Sequence, residues 1–283
     1  MENNILKIYG NGWFGRDQIP EEMVLPNSII IVDEYNVLEE IEKNDNINII
    51  YIQVEPKIIT DQADVVIKNA YKCTVIYTYD KSIMNNCVNA KKYAYGTTWI
   101  EKDYYSKIDV SEKKFMTSVI VGSKNINNAE GHLFRKLIYD HQDIFIHNHI
   151  KLMVYISSRQ VPTLTPKKDN KILFDSKIEL FDKFQYSIVI ENSKQEDYFS
   201  EKIIDCLITK TIPIYYGCSN ISEYFDTSYW IMLNSIDVNE LNRILGELRD
   251  GYYQDNYDNI QSNYVKSMRY SSLKENLLRS YLS

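Results

Sequence analysis

The chain has 283 residues, of which 44% are hydrophobic and 25% charged, a composition typical of a soluble globular protein with enough length for two compact domains. Its net charge of −7 at pH 7 argues against a nucleic-acid partner. No apolar run approaches the roughly 18 residues of a transmembrane segment, and the N-terminal residues lack the basic and apolar regions of a signal peptide.

Short apolar runs in the N-terminal third of the chain predict the strands of a first α/β domain. Runs of this kind are typical of strands in a sheet that is covered on both faces. The predicted strands span residues 6–9, 28–32, 49–54 and 74–78. The polar, charged stretch 101–114 predicts a boundary, and we therefore expect one domain at 1–112 and another at 113–283.

A glycine pattern follows the first predicted strand. Residues 10–15 spell GxGxxG, and Asp33 follows at about the distance of the acidic residue in dinucleotide-binding folds. However, Trp13 and Phe14 are bulky where the backbone must approach a pyrophosphate, and Pro20 interrupts the helix that should follow. The sequence therefore does not favour a nicotinamide site.

The second predicted domain begins with a strand at 115–121, followed by a Gly-Ser-Lys-Asn loop at 122–125 and a helix at 131–140. Helical spacing places the apolar side chains of this helix on one stripe and Arg135 off that stripe. An arginine fork suits the oxygens of a pyrophosphate. A surface arginine on an amphipathic helix is the alternative interpretation.

A group of histidines follows this helix. His141, Asp143, His147 and His149 lie close together in the sequence, and on a strand His147 and His149 would share a face. The sequence supplies no convincing further ligands, so we do not predict a metal site here. The four cysteines form no CxxC pair, which argues against a zinc site or a disulfide framework.

The most informative stretch is 184–217, which predicts a strand, a polar loop, a helix and a second strand. Residues 187–190 form an unbroken run of small or apolar side chains. Ser200 is suited to cap the helix, which opens on Glu201 and Lys202. A lysine beside the free N–H groups of a helix start can hold a phosphate. An ordinary strand–helix–strand unit with a solvated first turn is the alternative.

This stretch resembles the C-terminal signature of the α1,3-fucosyltransferases, glycosyltransferase family 10. The resemblance includes several unrelated elements in the order of the family. The matching residues are Glu191-Asn192-Ser193, Asp197-Tyr198, Ser200-Glu201-Lys202, the IPIYYG run at 212–217, Asn220-Ile221 and Tyr224-Phe225. The block 118–135 agrees with the same family, and the N-terminal third resembles it more faintly.

The resemblance implies an α/β fold of the GT-B type, with two Rossmann-like domains and a cleft between them. It also implies that residues of the second domain bind the donor nucleotide. These residues are Lys124, Arg135, Glu191, Asn192, Ser193, Tyr198, Glu201 and Lys202. In the family, the arginine and the lysine contact the diphosphate, and the glutamate before the lysine binds the ribose hydroxyls.

A general base is the remaining role that the family implies. In the family, a glutamate at the end of a strand in the N-terminal domain faces the cleft and is the proposed base. Glu55, which follows the predicted strand at 49–54, matches that glutamate by order and context. Asp61, Asp64 and Asp80 remain alternatives.

The resemblance therefore implies an inverting transferase that moves fucose from GDP-fucose to a hydroxyl of a glycan, with α1,3 linkage. The chain contains no Asp-x-Asp motif, so we expect no required metal, and Mn²⁺ or Mg²⁺ at most to stimulate the reaction. A same-fold transferase with another sugar nucleotide and a non-catalytic protein that binds glycans or nucleotides are the alternatives. We expect a cytoplasmic location in a bacterial or viral setting.

Overall fold

The computed structural model describes residues 5–10, 14–33, 37, 47–145, 149–157, 164–173 and 176–283. These residues form two compact units. The first unit takes its residues from 1–96 and 272–283, and the second takes its residues from 97–271. The boundary between residues 112 and 113 stays a prediction.

Both units alternate strands with helices, the order typical of α/β proteins. Strands β1 to β11 span Ile5–Tyr9, Ser28–Val32, Asn48–Ile52, Cys73–Thr78, Ala90–Lys92, Lys114–Val121, Lys151–Ser157, Lys171–Leu173, Phe184–Ile190, Ile212–Tyr216 and Ile231–Met232. Helices α1 to α9 span Ala63–Asn69, Lys81–Asn86, Lys102–Tyr105, Glu130–Asp140, Glu201–Ile208, Val238–Glu247, Tyr252–Asp255, Tyr257–Met268 and Leu273–Leu282.

The first unit is built on a parallel sheet whose described strands follow the order β1-β2-β3-β4-β5. Ile31, Tyr51 and Ile76 form one row across its central strands. This row belongs to a buried apolar cluster that also contains Val66 of α1 and Ile83 of α2. The isoleucine-rich strands are therefore covered, as their continuous apolar runs predict.

The C-terminal helix α9 belongs to the first unit. The Asn276 side-chain amide donates a hydrogen bond to the carbonyl of Gly96 at 2.5 Å. The Ser280 hydroxyl donates to the carbonyl of Lys92 at 2.7 Å, at the end of the edge strand β5. The chain therefore returns to its first unit after it has completed the second.

The second unit is built on a parallel sheet with the described strand order β11-β10-β9-β6-β7-β8. Counted from β6, this is the 3-2-1-4-5-6 order of the doubly wound Rossmann fold. The direction of winding reverses between the neighbours β6 and β9. In sheets of this order, ligands bind outside the carboxyl ends of the strands at that reversal.

The sequence did not predict β7, a seven-residue strand at Lys151–Ser157, and it missed several short strands. Strands β5, β8 and β11 are only two or three residues long, too short to produce a periodic apolar pattern. They are strands because each one pairs with a longer neighbour. Strand β3 also ends at Ile52, two residues earlier than the apolar run predicts, because the amides of Val54 and Glu55 donate to the Asp33 carboxylate rather than to a neighbouring strand.

Lys113, directly before β6, is buried with 5% of its surface exposed. Its ammonium group donates to the carbonyl of Phe181 at 2.5 Å, the carbonyl of Phe184 at 3.0 Å and the hydroxyl of Thr211 at 2.8 Å. All three acceptors are neutral. Burial lowers the pKa of Lys113 to about 7, so folding releases the proton that the unfolded chain still binds.

We expect the free energy of unfolding to rise between about pH 7 and pH 8.5, by up to about 1.4 kcal/mol per pH unit, because the unfolded state binds more protons there. The Lys113→Met variant should lose this rise. Urea denaturation at several pH values in that window measures it. Lys114→Met, an exposed neighbour, is the control and should keep the rise. The same pH dependence in Lys113→Met would show that Lys113 stays protonated in the fold.

Candidate functional site

The predicted donor-binding residues lie at the carboxyl ends of the two strands where the winding reverses. Strand β6 runs into the loop 122–129 and then into α4, and β9 runs into the loop 191–200 and then into α5. These strands are parallel neighbours, so both loops leave the sheet at the same edge. Sequence and topology therefore point to the same place.

A close approach of backbones fixes α4 at this edge. The amide of Gly131 donates to the carbonyl of Asn192 at 3.1 Å. A Cβ on Gly131 would lie 1.7 Å from the carbonyl oxygen of Glu191, so no side chain fits there. Phe134 and Ile138 are fully buried and hold the inner face of α4. The helix therefore begins directly against the end of β9.

This packing brings Arg135 to the end of β9. Its guanidinium donates to the carbonyl of Ile190 at 2.5 Å and to the side-chain oxygen of Asn192 at 3.1 Å. The guanidinium is therefore held by two elements, its own helix and the strand end. Since an arginine has five N–H donors, these two bonds leave others for an anion.

Glu191 is fully buried and organises the loop that follows β9. One carboxylate oxygen accepts the amide of Ser200 at 3.0 Å, and the other accepts the hydroxyl of Ser200 at 2.6 Å. An added Cβ on Gly217, directly after β10, would lie 2.5 Å from Cγ of Glu191. The final glycine of the IPIYYG run therefore leaves room for this carboxylate.

Ser200 caps α5, as the sequence predicts, because its hydroxyl accepts the amide of Lys202 at 3.3 Å. The Lys202 ammonium lies 3.2 Å from the Ser200 hydroxyl, 3.3 Å from Oε1 of Glu201 and 3.8 Å from Oε2 of Glu191. The apolar pattern predicts one buried face for α5, but every residue of the helix except Lys202 is buried. Glu201 and Asp205 therefore need partners inside the protein.

Lys177 is the partner that the sequence did not reveal. It lies in a short turn before β9, and its ammonium is 3.2 Å from Oε1 of Glu201 and 3.3 Å from Oδ2 of Asp205. Burial alone would raise the pKa of Glu201, but the charges of Lys177 and Lys202 outweigh it and hold this pKa well below its usual value. The only sequence signal was an acidic pair at positions i and i+4 of a buried helix.

The predicted cations converge near His132, which lies in the first turn of α4. Burial and the charges of Arg135, Lys202 and Lys124 lower the pKa of His132 to about 4, against a hydrogen bond with Asn192. Nδ1 of His132 accepts the amide of Ile126 at 3.2 Å. The imidazole is therefore neutral at pH 7, and Arg135, Lys202 and Lys124 all lie close enough to affect its pKa.

The remaining predicted residues differ in their surroundings. Asn192 and Ser193 are half-buried, and the buried hydroxyl oxygen of Ser193 has no hydrogen-bond partner within the described ranges. Tyr198 is only 1% exposed and packs in the interior. Asn192 and Ser193 are thus the members of the loop with polar groups suited to a ligand, whereas a donor contact of Tyr198 stays a prediction.

The contacts of Asp197 give a structural reason for two further residues of the sequence signature, Asn220 and Tyr224. It has a positive φ of 60°, and its backbone amide donates to the side chain of Asn220 at 2.8 Å. Its carboxylate accepts the Asn220 amide at 2.9 Å and the Tyr224 hydroxyl at 2.5 Å. Asn220 and Tyr224 therefore brace the loop between β9 and α5.

The first unit holds Glu55 at the carboxyl end of β3. The carboxylate of Asp33 accepts the amides of Val54 at 2.8 Å and Glu55 at 2.9 Å. The hydroxyl of Tyr79 donates to the carbonyl of Val54 at 2.9 Å. Asp33, which in the GxGxxG pattern suggested a nucleotide-binding acid, therefore fixes the backbone of Glu55. Residues 11–13 of that pattern lie outside the described residues.

The alternative carboxylates have other surroundings. Asp80 is buried and caps α2 by accepting the amides of Ser82 and Ile83 at 2.7 and 3.2 Å. Asp61 is exposed and forms an ion pair with Lys57 at 3.7 Å. Asp64 is exposed in the first turn of α1. Of the four candidates, Glu55 combines partial exposure with an anchored backbone, and its role as base stays a prediction.

Two further features bear on metals and membranes. Among the described residues, no group of three or more His, Cys, Asp or Glu side chains could hold a metal ion, although His147 lies outside them. In the same part of the chain, no helix combines the length and the apolar character that crossing a bilayer requires.

Comparison with known families finds one whose model matches more than half of the chain. The model described as "Glycosyltransferase family 10 (fucosyltransferase) C-term" matches residues 111–273. A fucosyltransferase-like protein of Arabidopsis thaliana is 31% identical over 61 residues, which are 22% of this chain and 11% of that relative. The match therefore spans only a small part of the relative.

Solved glycosyltransferases share the fold. HepE of Anabaena in complex with UDP-glucose has a TM-score of 0.57 at 11% identity. The match covers 90% of this chain and 78% of the HepE chain. The apo structure of OtsA has a TM-score of 0.59 at 10% identity and covers 90% and 72%. An α1,3-fucosyltransferase with GDP-fucose reaches 0.49 at 14% identity and covers 94% and 92%. The parallel-sheet units thus have the GT-B fold.

We expect Gly131→Ala to lower the free energy of unfolding of the second unit by about 2 kcal/mol, because the new Cβ must push α4 away from β9. Gly246→Ala is the matched control, since Gly246 is exposed on α6 and alanine is the better helix former. Urea denaturation should show a loss for the first variant and none for the second. Equal stability of Gly131→Ala and the wild type would contradict the close approach.

Proposed function

The chain belongs to glycosyltransferase family 10, and we propose that it transfers fucose from GDP-fucose to a hydroxyl of a glycan, with α1,3 linkage and inversion at the anomeric carbon. The family match over residues 111–273 is the observation that carries this proposal. That range contains all eight positions to which we assign donor binding. The name of the Arabidopsis relative, fucosyltransferase-like, agrees with it over a short segment.

The diphosphate of the donor binds at the edge between β6 and β9, where the cations near His132 lie. Arg135 and Lys202 contact the phosphate oxygens, Lys124 adds charge from the loop after β6, and the first turn of α5 directs N–H groups to the same place. Together these groups stabilise the negative charge that develops on the leaving GDP, and Arg135 is already held in position for this role by the end of β9. The chain has no Asp-x-Asp motif, so we propose that these cations replace a metal ion.

The ribose and the sugar meet the loop after β9. The ionised carboxylate of Glu201 accepts hydrogen bonds from the ribose hydroxyls. The polar groups of Asn192 and Ser193 contact the donor, and the buried hydroxyl of Ser193 gains the partner that it otherwise lacks among the described residues. Glu191 acts through Ser200, and Tyr198 supports the loop from within.

Glu55 is the general base of the proposed reaction. Its carboxylate takes the proton of the acceptor hydroxyl while that oxygen attacks the anomeric carbon from the face opposite to GDP. The bond between this carbon and the diphosphate oxygen breaks, GDP leaves with the electron pair, and the configuration inverts. A fixed backbone at Glu55, held by Asp33, limits the orientations of the base.

We expect the protein to bind GDP in preference to UDP, ADP and CMP, without added metal and with Mn²⁺. Isothermal titration calorimetry measures this preference.

Arg135→Ala and Lys202→Ala should each weaken GDP binding by about tenfold or more, because each removes a charged hydrogen bond to phosphate. Lys136→Ala, an exposed lysine on the same helix as Arg135, is the control. A preference for another nucleotide would discard fucose but keep the site, and binding of no nucleotide would favour a non-catalytic glycan-binding protein.

We expect Glu55→Gln to keep the wild-type affinity for GDP and to lower transfer by about 10²- to 10⁴-fold, since the amide cannot accept the proton. Transfer from GDP-fucose to a panel of glycan acceptors measures the rate. Glu22→Gln, an exposed glutamate of the same unit that is not a candidate base, should keep its activity. Full turnover by Glu55→Gln would exclude Glu55 as the base and leave Asp61, Asp64 and Asp80 as candidates.

A further inference from the structure

Lys177 has an unusual position for a lysine. Only 16% of its side chain is exposed, and its ammonium lies between the carboxylates of Glu201 and Asp205. The indole ring of Trp99 lies 4.1 Å from the same ammonium. The two carboxylates are nearly or fully buried, whereas Trp99 is 45% exposed. A cation held by two buried carboxylates and an aromatic face has little freedom to leave.

Asp205 fixes the position of Lys177. One of its carboxylate oxygens accepts the hydroxyl of Thr98 at 2.6 Å and the amide of Trp99 at 3.0 Å. The other oxygen faces Lys177 at 3.3 Å. Asp205 is fully buried, and it lies one helical turn after Glu201 on α5. The segment at 98–99, the helix and the lysine are thus joined through one carboxylate.

The Lys202 ammonium is held less tightly than the Lys177 ammonium. Its side chain is more exposed, at 23%, and its ammonium shares three acceptors at 3.2, 3.3 and 3.8 Å. The contacts with Ser200 and Glu201 are hydrogen bonds, and the contact with Glu191 at 3.8 Å is an ion pair only. A Lys202 ammonium that moves to a phosphate gives up these two bonds. Lys202 would then leave Glu201, and Lys177 would remain as its counter-ion.

Both ammonium groups contact the same oxygen of Glu201. The hydrogen bonds from Lys177 and from Lys202 go to Oε1. The second oxygen, Oε2, is the one that neither lysine contacts. A carboxylate fixed through one oxygen keeps the other one in a defined direction, where it can accept ligand hydroxyls.

We propose that Lys177 is a positioning residue for donor binding: it is the permanent counter-ion of Glu201 and holds this carboxylate towards the ribose hydroxyls while Lys202 turns to the diphosphate. This inference rests on the proposed function, because it assigns the ribose to Glu201. Lys177 itself contacts neither the ribose nor the phosphates. These different roles explain why two lysines from different elements contact one ligand-binding glutamate at the start of α5.

The test separates the ribose contact from the phosphate contact by comparing GDP with its dideoxy analogue, which lacks both ribose hydroxyls. In calorimetry, Lys177→Met should weaken GDP binding by about tenfold, the value of a hydrogen bond to a charged group, and leave the analogue within about twofold of the wild type. Lys177→Arg should restore most of the GDP affinity. In a Glu201→Gln background, Lys177→Met should have no further effect.

Two variants control for loss of structure. Lys113→Met removes another buried lysine of the same unit, far in sequence from α5, and should bind GDP like the wild type. If Lys177→Met does not fold, Lys177→Met/Asp205→Asn removes the lysine together with one carboxylate that it would leave unpaired. The double variant keeps Glu201 and should show the same selective loss for GDP.

Equal losses for GDP and for the dideoxy analogue would overturn the inference, because they would mean a structural role or a direct phosphate contact of Lys177. Failure of Lys177→Arg to recover binding would also count against a counter-ion. If the wild type binds no nucleoside diphosphate, the proposed function fails and this inference fails with it. The wild-type titration alone therefore tells the two failures apart.

Discussion

The buried carboxylate of Glu191 is the constraint on which the candidate site depends. Burying a carboxylate is unfavourable unless hydrogen bonds and a cation compensate it. Ser200 supplies both an N–H and an O–H, and the Lys202 ammonium lies nearby at 3.8 Å. These contacts tie the end of β9 to the first turn of α5. This one carboxylate therefore fixes the direction of the first turn of α5, which includes Glu201 and Lys202.

The buried charges of the site restrict one another. The carboxylates of Glu191, Glu201 and Asp205 are nearly or fully buried and lie close to Lys177 and Lys202. In a region of low polarity such charges act strongly on one another, so each one limits the movements of the next. A diphosphate that enters would redistribute the cations rather than meet unpaired ones. Lys177 then matters because it stays while Lys202 moves.

In the first unit, too, a carboxylate fixes the position of a neighbouring segment through hydrogen bonds. Asp33 lies after β2 and Glu55 after β3, and the Asp33 carboxylate accepts two consecutive amides of the second segment. The sequence predicts both strands and the candidate base. It does not predict this contact, because the partners are 21 and 22 residues apart and meet only when the strands pair. Asp33, whose place in the GxGxxG pattern resembles that of a nucleotide-binding acid, thus holds the backbone of the candidate base in position.

The sequence alone determined most of the longer strands, the starts of α4 and α5, and the family, because these depend on local spacing and residue type. It also singled out the cations Arg135 and Lys202. Only the tertiary structure decided that α5 is buried nearly all round and that Lys177 neutralises Glu201 and Asp205. It also decided that Gly131 must be small, since the carbonyl of Glu191 occupies the space of its Cβ. The contacts of Lys177 and Thr98 with Asp205 span 28 and 107 residues. Periodicity cannot reveal such pairs, since they arise only from packing.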